Sequence, residues 1–509
     1  MENKENVPQA PGLNQCAKKQ EKSWEITRKD RGFLGLTGLF CLLMVDTVLF
    51  YQPGLGITVL VMAWYGLLRA YLGRDWLRAG ESRALLAVNL FLGLTFALTS
   101  SWAFRLWNLG ALLVLVPLQA LAASEGTLPW WRPAMLRERL TLLFQGLFGN
   151  LGAAGAVLSR GKGGERKRTV AVLLGCCAAL ALVAVLLPVL AGADALFAAL
   201  TEDFLTFCRE HFTTGGMKLC MALVITPFAF GLLYRLKRPE PLKKAPEEKS
   251  GDRDGVAFAI ALAALCGMYA LFLAVQLTGI LGGEAYLAEK GISYAEWARS
   301  GFFQMVGVTA VNLLAAMTAL GRSRREGRCW TAVRGLSGLL AAESLALLVS
   351  ACWRMSLYVS AYGLSFKRLM TYWGMGMMAI FLTAALWKAV RPDFRFWRMA
   401  FPAAVAGWLL INCVPVDYLA AKDQVDRYLS GQSQTVDVGY LAWELSYDAL
   451  HQLERLDPGT GSGYYGQPGF DSYGEMPLGV VMADRKLDAA EECGRWESWN
   501  LSAWLVSHG

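Results

Sequence analysis

Residues 33–51 read FLGLTGLFCLLMVDTVLFY, an apolar run broken by a single charge, Asp46. An α-helix needs about 20 such residues to cross the ~30 Å hydrocarbon core of a bilayer. The residues ahead of it are polar and lysine-rich and contain no apolar segment of the kind found in a cleavable signal peptide. The run is therefore expected to act as an uncleaved membrane anchor, and the rest of the chain repeats its pattern.

The 509 residues are 55% hydrophobic with a mean hydropathy of +0.35, and only 18% are charged, against about 25% in soluble chains. The apolar residues fall in long runs that predict about eleven spanning helices. These lie at roughly 33–51, 54–72, 84–100, 103–123, 169–191, 217–235, 256–280, 302–320, 335–354, 367–389 and 398–414. The fold class is all-α, a polytopic membrane helix bundle. Its parts are a cytoplasmic polar tail at 1–32, the bundle at 33–414 and an acidic helical extracytoplasmic domain at 415–509.

The net charge of +8 would suit a nucleic-acid partner, but the bases sit in short loops between spans. They gather in alternate loops, at Arg28, Lys29 and Arg31, at Arg78 and Arg83, at Arg166 and Lys167, at Lys237 and Arg238, at Arg324 and Arg325, and at Arg391 and Arg395. That is the positive-inside pattern, with a cytoplasmic N-terminus and, for an odd number of spans, an outer C-terminus. The expected partner is the lipid bilayer, with no nucleic acid. Eleven cysteines form no C-x-x-C pair, and the three histidines, 211, 451 and 508, do not cluster. Neither a metal nor another cofactor is expected.

Several elements lie outside the spans. Leu136, Leu140, Leu143, Phe144, Leu147 and Leu151 share one stripe, which predicts a cytoplasmic amphipathic helix near 134–152. It either lies in the inner interface or packs on the underside of the bundle. Asp194 is placed to N-cap a short helix carrying Leu196, Phe197, Leu200 and Phe204. In the outer domain, VGYLAWELSYDALHQLERL (438–456) has helical period, with Leu441, Leu445, Leu450 and Leu453 as its apolar residues. DPGTGSGYYGQPGFDSYG (457–474) lacks the lysine and following helix of a phosphate loop and reads as a flexible connection. A last helix is expected over 485–506.

The stretch ISYAEWARSGFFQM (292–305) carries charge into a span. Ser293 and Glu296 form a capping box, and Arg299 then either snorkels or pairs with Glu296. The outer loop after the ninth span also carries unexpected bases, Arg354, Lys367 and Arg368. Arg354, Tyr358 and Tyr362 recur every four residues on one helix face, Gly363 ends that helix and Ser365 caps the next. Arg299, Arg354, Tyr358 and Arg368 are accordingly a candidate outer anion or headgroup site, because the guanidinium fork suits carboxylate and phosphate. The competing reading pairs these arginines with Glu284, Glu289, Glu296 or the acidic domain. Asp46 and Glu343 are candidate intramembrane acids. Glu343 is expected to be protonated, or hydrogen-bonded by Asn89, Asn108, Gln276 or Asn312.

GISYAEWARSGFFQM (291–305), RMSLYVSAYGLSFKRL (354–369), VDVGYLAWELSYDAL (436–450), RWESWNLS (495–502) and LPVLAGADALF (187–197) together resemble an uncharacterised bacterial multi-pass membrane family, domain of unknown function 4173. The resemblance runs from about residue 33 to the end. Trp297 stands where the family pattern has Tyr, Ser365 where it has Thr, and Pro415-Val416-Asp417 where it has an Asn-Pro-Asp-like motif. It implies a bacterial cell-membrane location and supplies no reaction.

No catalytic motif is present, which favours a non-enzymatic envelope scaffold or sensor meeting an envelope protein partner through 415–509. The alternative is a transporter or flippase for an anionic solute or lipid, motivated by Asp46, Glu343 and the outer arginines. A membrane-embedded transferase would need an acid–base pair beside a cavity, and the sequence offers none.

Overall fold

A computed structural model describes residues 24–73, 75–77, 80–122, 128–130, 132, 134–158, scattered positions between 172 and 206, 214–239, 255–289, 302–459 and 477–509; over 278–289 and 302–306 it describes the backbone alone. Among the described residues the regular elements are helical and there is no β-strand. The helices are α1 Arg28–Val45, continued by a π turn Asp46–Phe50, α2 Leu55–Leu72, α3 Gly80–Leu98, α4 Trp102–Ala122, α5 Ala134–Gly149, α6 Leu151–Leu158 and α7 Thr214–Lys237. There follow α8 Val256–Glu289, α9 Phe302–Arg322, α10 Gly327–Tyr362, α11 Phe366–Val390, α12 Phe396–Asn412, α13 Val416–Leu429, α14 Leu450–Leu453, α15 Leu478–Cys493 and α16 Leu501–His508.

Nine helices or near-continuous helix pairs among the described residues are long and apolar enough to cross a membrane, and a tenth if α12 and α13, bent by 51°, count as one. The protein is a multi-pass integral membrane protein in contact with the bilayer. Side chains such as Leu39, Leu113 and Val349, each 65–70% exposed, make that contact, because lipid tails are as apolar as leucine. The span expected at 169–191 lies outside the continuously described residues. The helix expected at 335–354 runs from Gly327 to Tyr362, about 54 Å at 1.5 Å per residue, and so projects beyond the ~30 Å core.

The helices form two groups. In the first, α1 packs antiparallel on α7, and α2, α3 and α4 complete a core around Leu68, Leu92, Phe96, Phe230 and Leu233. In the second, α10 packs on α8, α9 and α11. Helix α12 joins them: Asn108 on α4 donates to Asn412 Oδ1 at 2.6 Å and accepts from Trp408 Nε1 at 2.9 Å. A buried amide pair satisfied in both directions fixes one register, since any shift leaves a polar group bare in apolar surroundings.

Polar contacts define the two ends of the bundle. At one, Asp30 before the second turn of α1 meets Tyr71 near the end of α2 and Lys237 at the end of α7. Gln119 near the end of α4 donates to Ser82 Oγ at the start of α3 at the same level. The stretch 134–158 is long and apolar enough to form a span. Yet Arg139 pairs with Glu81 at the start of α3, and Gly152 lies against Trp24, just before α1. Both parts touch the Asp30 end, so α5 and α6 leave and return on one side. Gly231 of α7 lets them approach: a Cβ there would sit 2.9 Å from the Gly146 carbonyl oxygen. Met135, Leu142 and Gly146 face the bundle, while Leu136, Phe144 and Phe148 are exposed. This helix thus buries one face against the bundle and leaves a second, apolar face exposed.

The C-terminal unit has its own core, built from Val425, Leu441, Leu445, Leu450, Leu453, Val481 and Val506. The expected helix over 438–456 is broken into a π turn Tyr440–Glu444, a 3-10 turn Tyr447–Ala449 and α14. The leucines chosen from its period are buried, but the backbone leaves the helix at Leu445 and Ser446, both extended. There the Ser446 N–H donates to buried Asp417 and the Tyr447 N–H to Ser100 Oγ. Tertiary acceptors have taken donors that a regular helix would use. The expected helix over 485–506 is likewise two, α15 and α16, because Asn500 caps a new start by accepting from the Ala503 N–H at 2.8 Å. Residues 460–476, which hold most of the glycine-rich stretch, lie outside the described residues.

Candidate functional site: a cleft at the end opposite Asp30

A helix leaves its first N–H groups without intrahelical partners. At the end opposite Asp30, the C-terminal unit supplies those partners. Leu55 and Gly56, opening α2, donate to the carbonyls of Trp499 (2.8 Å) and Glu497 (3.0 Å). Gly54 makes this approach sterically feasible, for a Cβ there would lie 2.4 Å from the Ser498 backbone. Ser100, in the turn before α4, hydrogen-bonds Ser502 and accepts from Tyr447 N. Across the joint, the Leu364 N–H donates to Asp423 at 2.6 Å and the Phe366 N–H to Tyr440 Oη at 3.0 Å. One unit therefore caps turns from both helix groups.

A charged network lies under this contact. Arg105 on α4 is buried, donates to the Thr99 carbonyl at 3.2 Å and faces Glu492 at 4.0 Å. Glu492 also accepts from Tyr447 Oη (3.2 Å) and Asn500 Nδ2 (3.1 Å). Asp448 accepts from Ser502 Oγ. Arg485 stacks on Tyr447 and Trp443, with 4.4 and 4.8 Å to the ring centres, and pairs with Asp488 at 3.2 Å. Burial pushes the Asp417 carboxyl upward from the ordinary aspartate range, against hydrogen bonds from Ser446 and Ser101 that favour its charge.

Between this network and the π turn of α1 lies a cleft of about 680 Å³. Tyr51 and Pro53 form its bundle wall, and Arg485, Glu491 and Arg495 its other wall. Asp46, at the start of the π turn, pairs with Lys218 of α7 at 2.5 Å, and that ammonium lies 4.6 Å from the Tyr51 ring centre. The residues present bind charge and hold geometry; no group of three metal-ligating side chains occurs among the described residues.

Of the four residues proposed from the sequence as an outer site, Tyr358 and Arg368 come together, with the guanidinium 4.4 Å from the ring centre. Arg368 also donates to the Tyr362 carbonyl at 2.8 Å and to the Gly363 carbonyl. Arg427 reaches the Ser360 and Val359 carbonyls from the C-terminal unit. The positive charge in this turn thus serves the carbonyl end of α10, where cations are favourable. Arg354 is buried one turn below Tyr358, and Arg299 lies outside the described residues. Glu343 is buried with Oε2 lacking a hydrogen-bond partner and the Cys266 thiol beside its carboxyl. The amides expected to reach it are engaged elsewhere: Asn89 with Tyr65, Asn108 with Asn412, Asn312 with Ser344 and Gln276 with Ser350. Neither the cleft nor the groove along Leu136, Phe144 and Phe148 is lined by Glu343.

Arg105, Lys218 and Glu492 belong to none of the sequence motifs described above. A usable signal was present for Lys218, since it stands near the same end of its span as Asp46 does of the first. Nothing local marks Arg105 and Glu492 as neighbours.

No curated protein and no solved structure matches the chain. One family model does, over residues 86–456, more than half of the chain, and its number is not the 4173 that the motifs resembled. The cleft walls at Tyr51–Pro53 and Arg485–Arg495 flank the matched residues, and Tyr447 lies within them. The matched region runs from within α3 through the rest of the bundle and into the C-terminal unit as far as α14, and the chain belongs to the family described as Domain of unknown function (DUF4153).

Proposed function

We propose that this protein is a non-enzymatic envelope scaffold or sensor of the cell membrane, with a cytoplasmic N-terminus and an extracytoplasmic C-terminal unit. The observation that carries the reading is the capping of turns from both helix groups by one C-terminal unit, at Leu55 and Gly56 and at Leu364 and Phe366. A partner or ligand that moves this unit must bias how the two groups sit together, because their helix ends lose hydrogen-bond partners when it leaves. The orientation is supported by the bases at the Asp30 end, among them Arg28, Lys29, Arg83, Lys237, Arg238 and Arg395. The transporter alternative needs a path to Glu343, and the two cavities described do not supply one.

Two measurements test the reading. Reporter fusions at residues 245 and 509 are expected to report cytoplasmic and external sides respectively; the same side for both sinks the orientation. Cross-linking in native membranes, read by mass spectrometry, is expected to join 415–509 to a second envelope protein. Links from 415–509 to its own bundle alone would remove the scaffold role.

A further inference from the structure

The cleft is neither purely basic nor purely acidic, and most of its charges are already used. Glu492 is taken by Arg105, Tyr447 and Asn500, and Arg485 by Asp488. Two remain, Glu491 and Arg495, four residues apart where α15 ends, both exposed and both lining the cleft. Among the described residues neither joins an ion pair. Arg495 reaches toward the bundle wall, its Cζ 5.4 Å from the Tyr51 ring centre. Lys218, behind the same ring, is neutralised by Asp46. The free charges are thus one cation and one anion in a space of about 680 Å³, within the roughly 300–1,000 Å³ of small-molecule sites.

The position of the cleft selects the occupant. Its lining includes Leu49 and Phe50, next to the end of the first apolar run. Leu49 is 55% exposed, so the cleft opens where α1 leaves the hydrocarbon. A molecule with its apolar part in the bilayer and its polar part at the surface can enter from the side. We propose that this cleft binds the headgroup of a zwitterionic aminophospholipid, with its phosphodiester on Arg495 and its ammonium on Glu491. An anionic phospholipid would satisfy Arg495 and meet Glu491 with like charge. A quaternary ammonium headgroup has no N–H to donate to the carboxylate. Placing the lipid in the outer leaflet rests on the orientation proposed above; the headgroup chemistry does not.

The test uses the full-length protein in nanodiscs of equal parts phosphatidylethanolamine, phosphatidylglycerol and phosphatidylcholine, with retained lipids read by native mass spectrometry. The unaltered protein is expected to retain phosphatidylethanolamine in preference to both others. Arg495→Ala should lower that retention about tenfold, the scale of one charge-assisted hydrogen bond. Glu491→Gln should shift the preference toward phosphatidylglycerol. Equal retention by the unaltered protein and the double variant, or an initial preference for either other lipid, overturns the proposal. Equally tight binding of soluble glycerophosphoethanolamine overturns the membrane source. Protease protection of residues 478–509, measured on the same samples, separates the two readings. A protected unit without lipid selectivity ends the lipid proposal alone, whereas an unprotected unit in the unaltered protein ends the docked-unit reading as well.

Discussion

The two ends of the bundle are tied by opposite means. At one end a single carboxylate ties three helices. Asp30 is fully buried and accepts from the Thr27 backbone and hydroxyl (2.9 and 2.8 Å), Tyr71 Oη (2.7 Å), Lys237 (3.2 Å) and Arg238 (2.9 Å), joining α1, α2 and α7. At the other end the contact is spread over Leu55, Gly56, Ser100, Leu364, Phe366 and Arg105, each with one or two partners in the C-terminal unit. A concentrated tie is sensitive to one residue and offers no graded response. A distributed one tolerates single losses and can open in part, which suits a surface that responds to a ligand.

That contrast breaks most directly at Asp30. Asp30→Ala leaves two cations and a buried hydroxyl without their acceptor. Losing one partner of a buried pair costs about 3–5 kcal/mol, and because Lys237 and Arg238 are 25% and 26% exposed, water screens part of this and the expected loss is about 3 kcal/mol. Thermal unfolding in detergent checks it. A loss smaller than that of any single substitution at the far end would reverse the comparison.

Glu492→Gln is expected to cost about 2 kcal/mol, because it takes from the buried Arg105 guanidinium its nearest carboxylate, leaving Asp448 as the remaining acid that acts on it. The readout is faster proteolysis of 478–509, with spans still inserted. Adding Arg105→Met should recover most of the loss, since a buried pair replaced by apolar side chains is often neutral. No recovery would show that the pair itself stabilises the contact.

Gly54→Ala places a Cβ 2.4 Å from the Ser498 backbone, and such overpacking typically costs about 1–3 kcal/mol. Faster amide exchange at Leu55 and Gly56, with unchanged exchange at Leu364 and Phe366, would sharpen the picture of a tie that opens in part. Simultaneous loss at both turns would make it all-or-none.

The smallest effect is expected at Asp417, whose carboxyl is raised by burial. A carboxyl raised in the folded state contributes stability below its unfolded pKa, about 3.9, and that contribution is lost as pH rises through the folded value. The C-terminal unit should therefore be relatively more stable in mild acid. Asp417→Asn should remove this component and stabilise the neutral-pH state by about 1 kcal/mol or less. Melting curves at pH 5 and pH 8 for both proteins decide it; an identical pH response in the two would exclude Asp417 as the source.

What the residues determine by themselves here is local and additive. Apolar runs set the spans, because each buries its own backbone hydrogen bonds in a helix and needs no neighbour to do so. Gly363, with φ of 73°, ends α10, and Ser365 caps α11, as their residue types require. The stripe through Leu136, Leu140 and Phe144 announces an amphipathic helix. Tertiary structure alone decided which charges meet. Asp46 and Lys218 are separated by 172 residues, and Arg105 and Glu492 lie in different parts of the chain. It also decided that the helix after Val438 breaks at Ser446, where Asp417 and Ser100 outcompete the helix for backbone donors. Periodicity reports which face of a segment avoids water. It carries no information about which distant polar group will stand opposite, because that depends on how helices pack side by side, and packing is settled only when all of them are present.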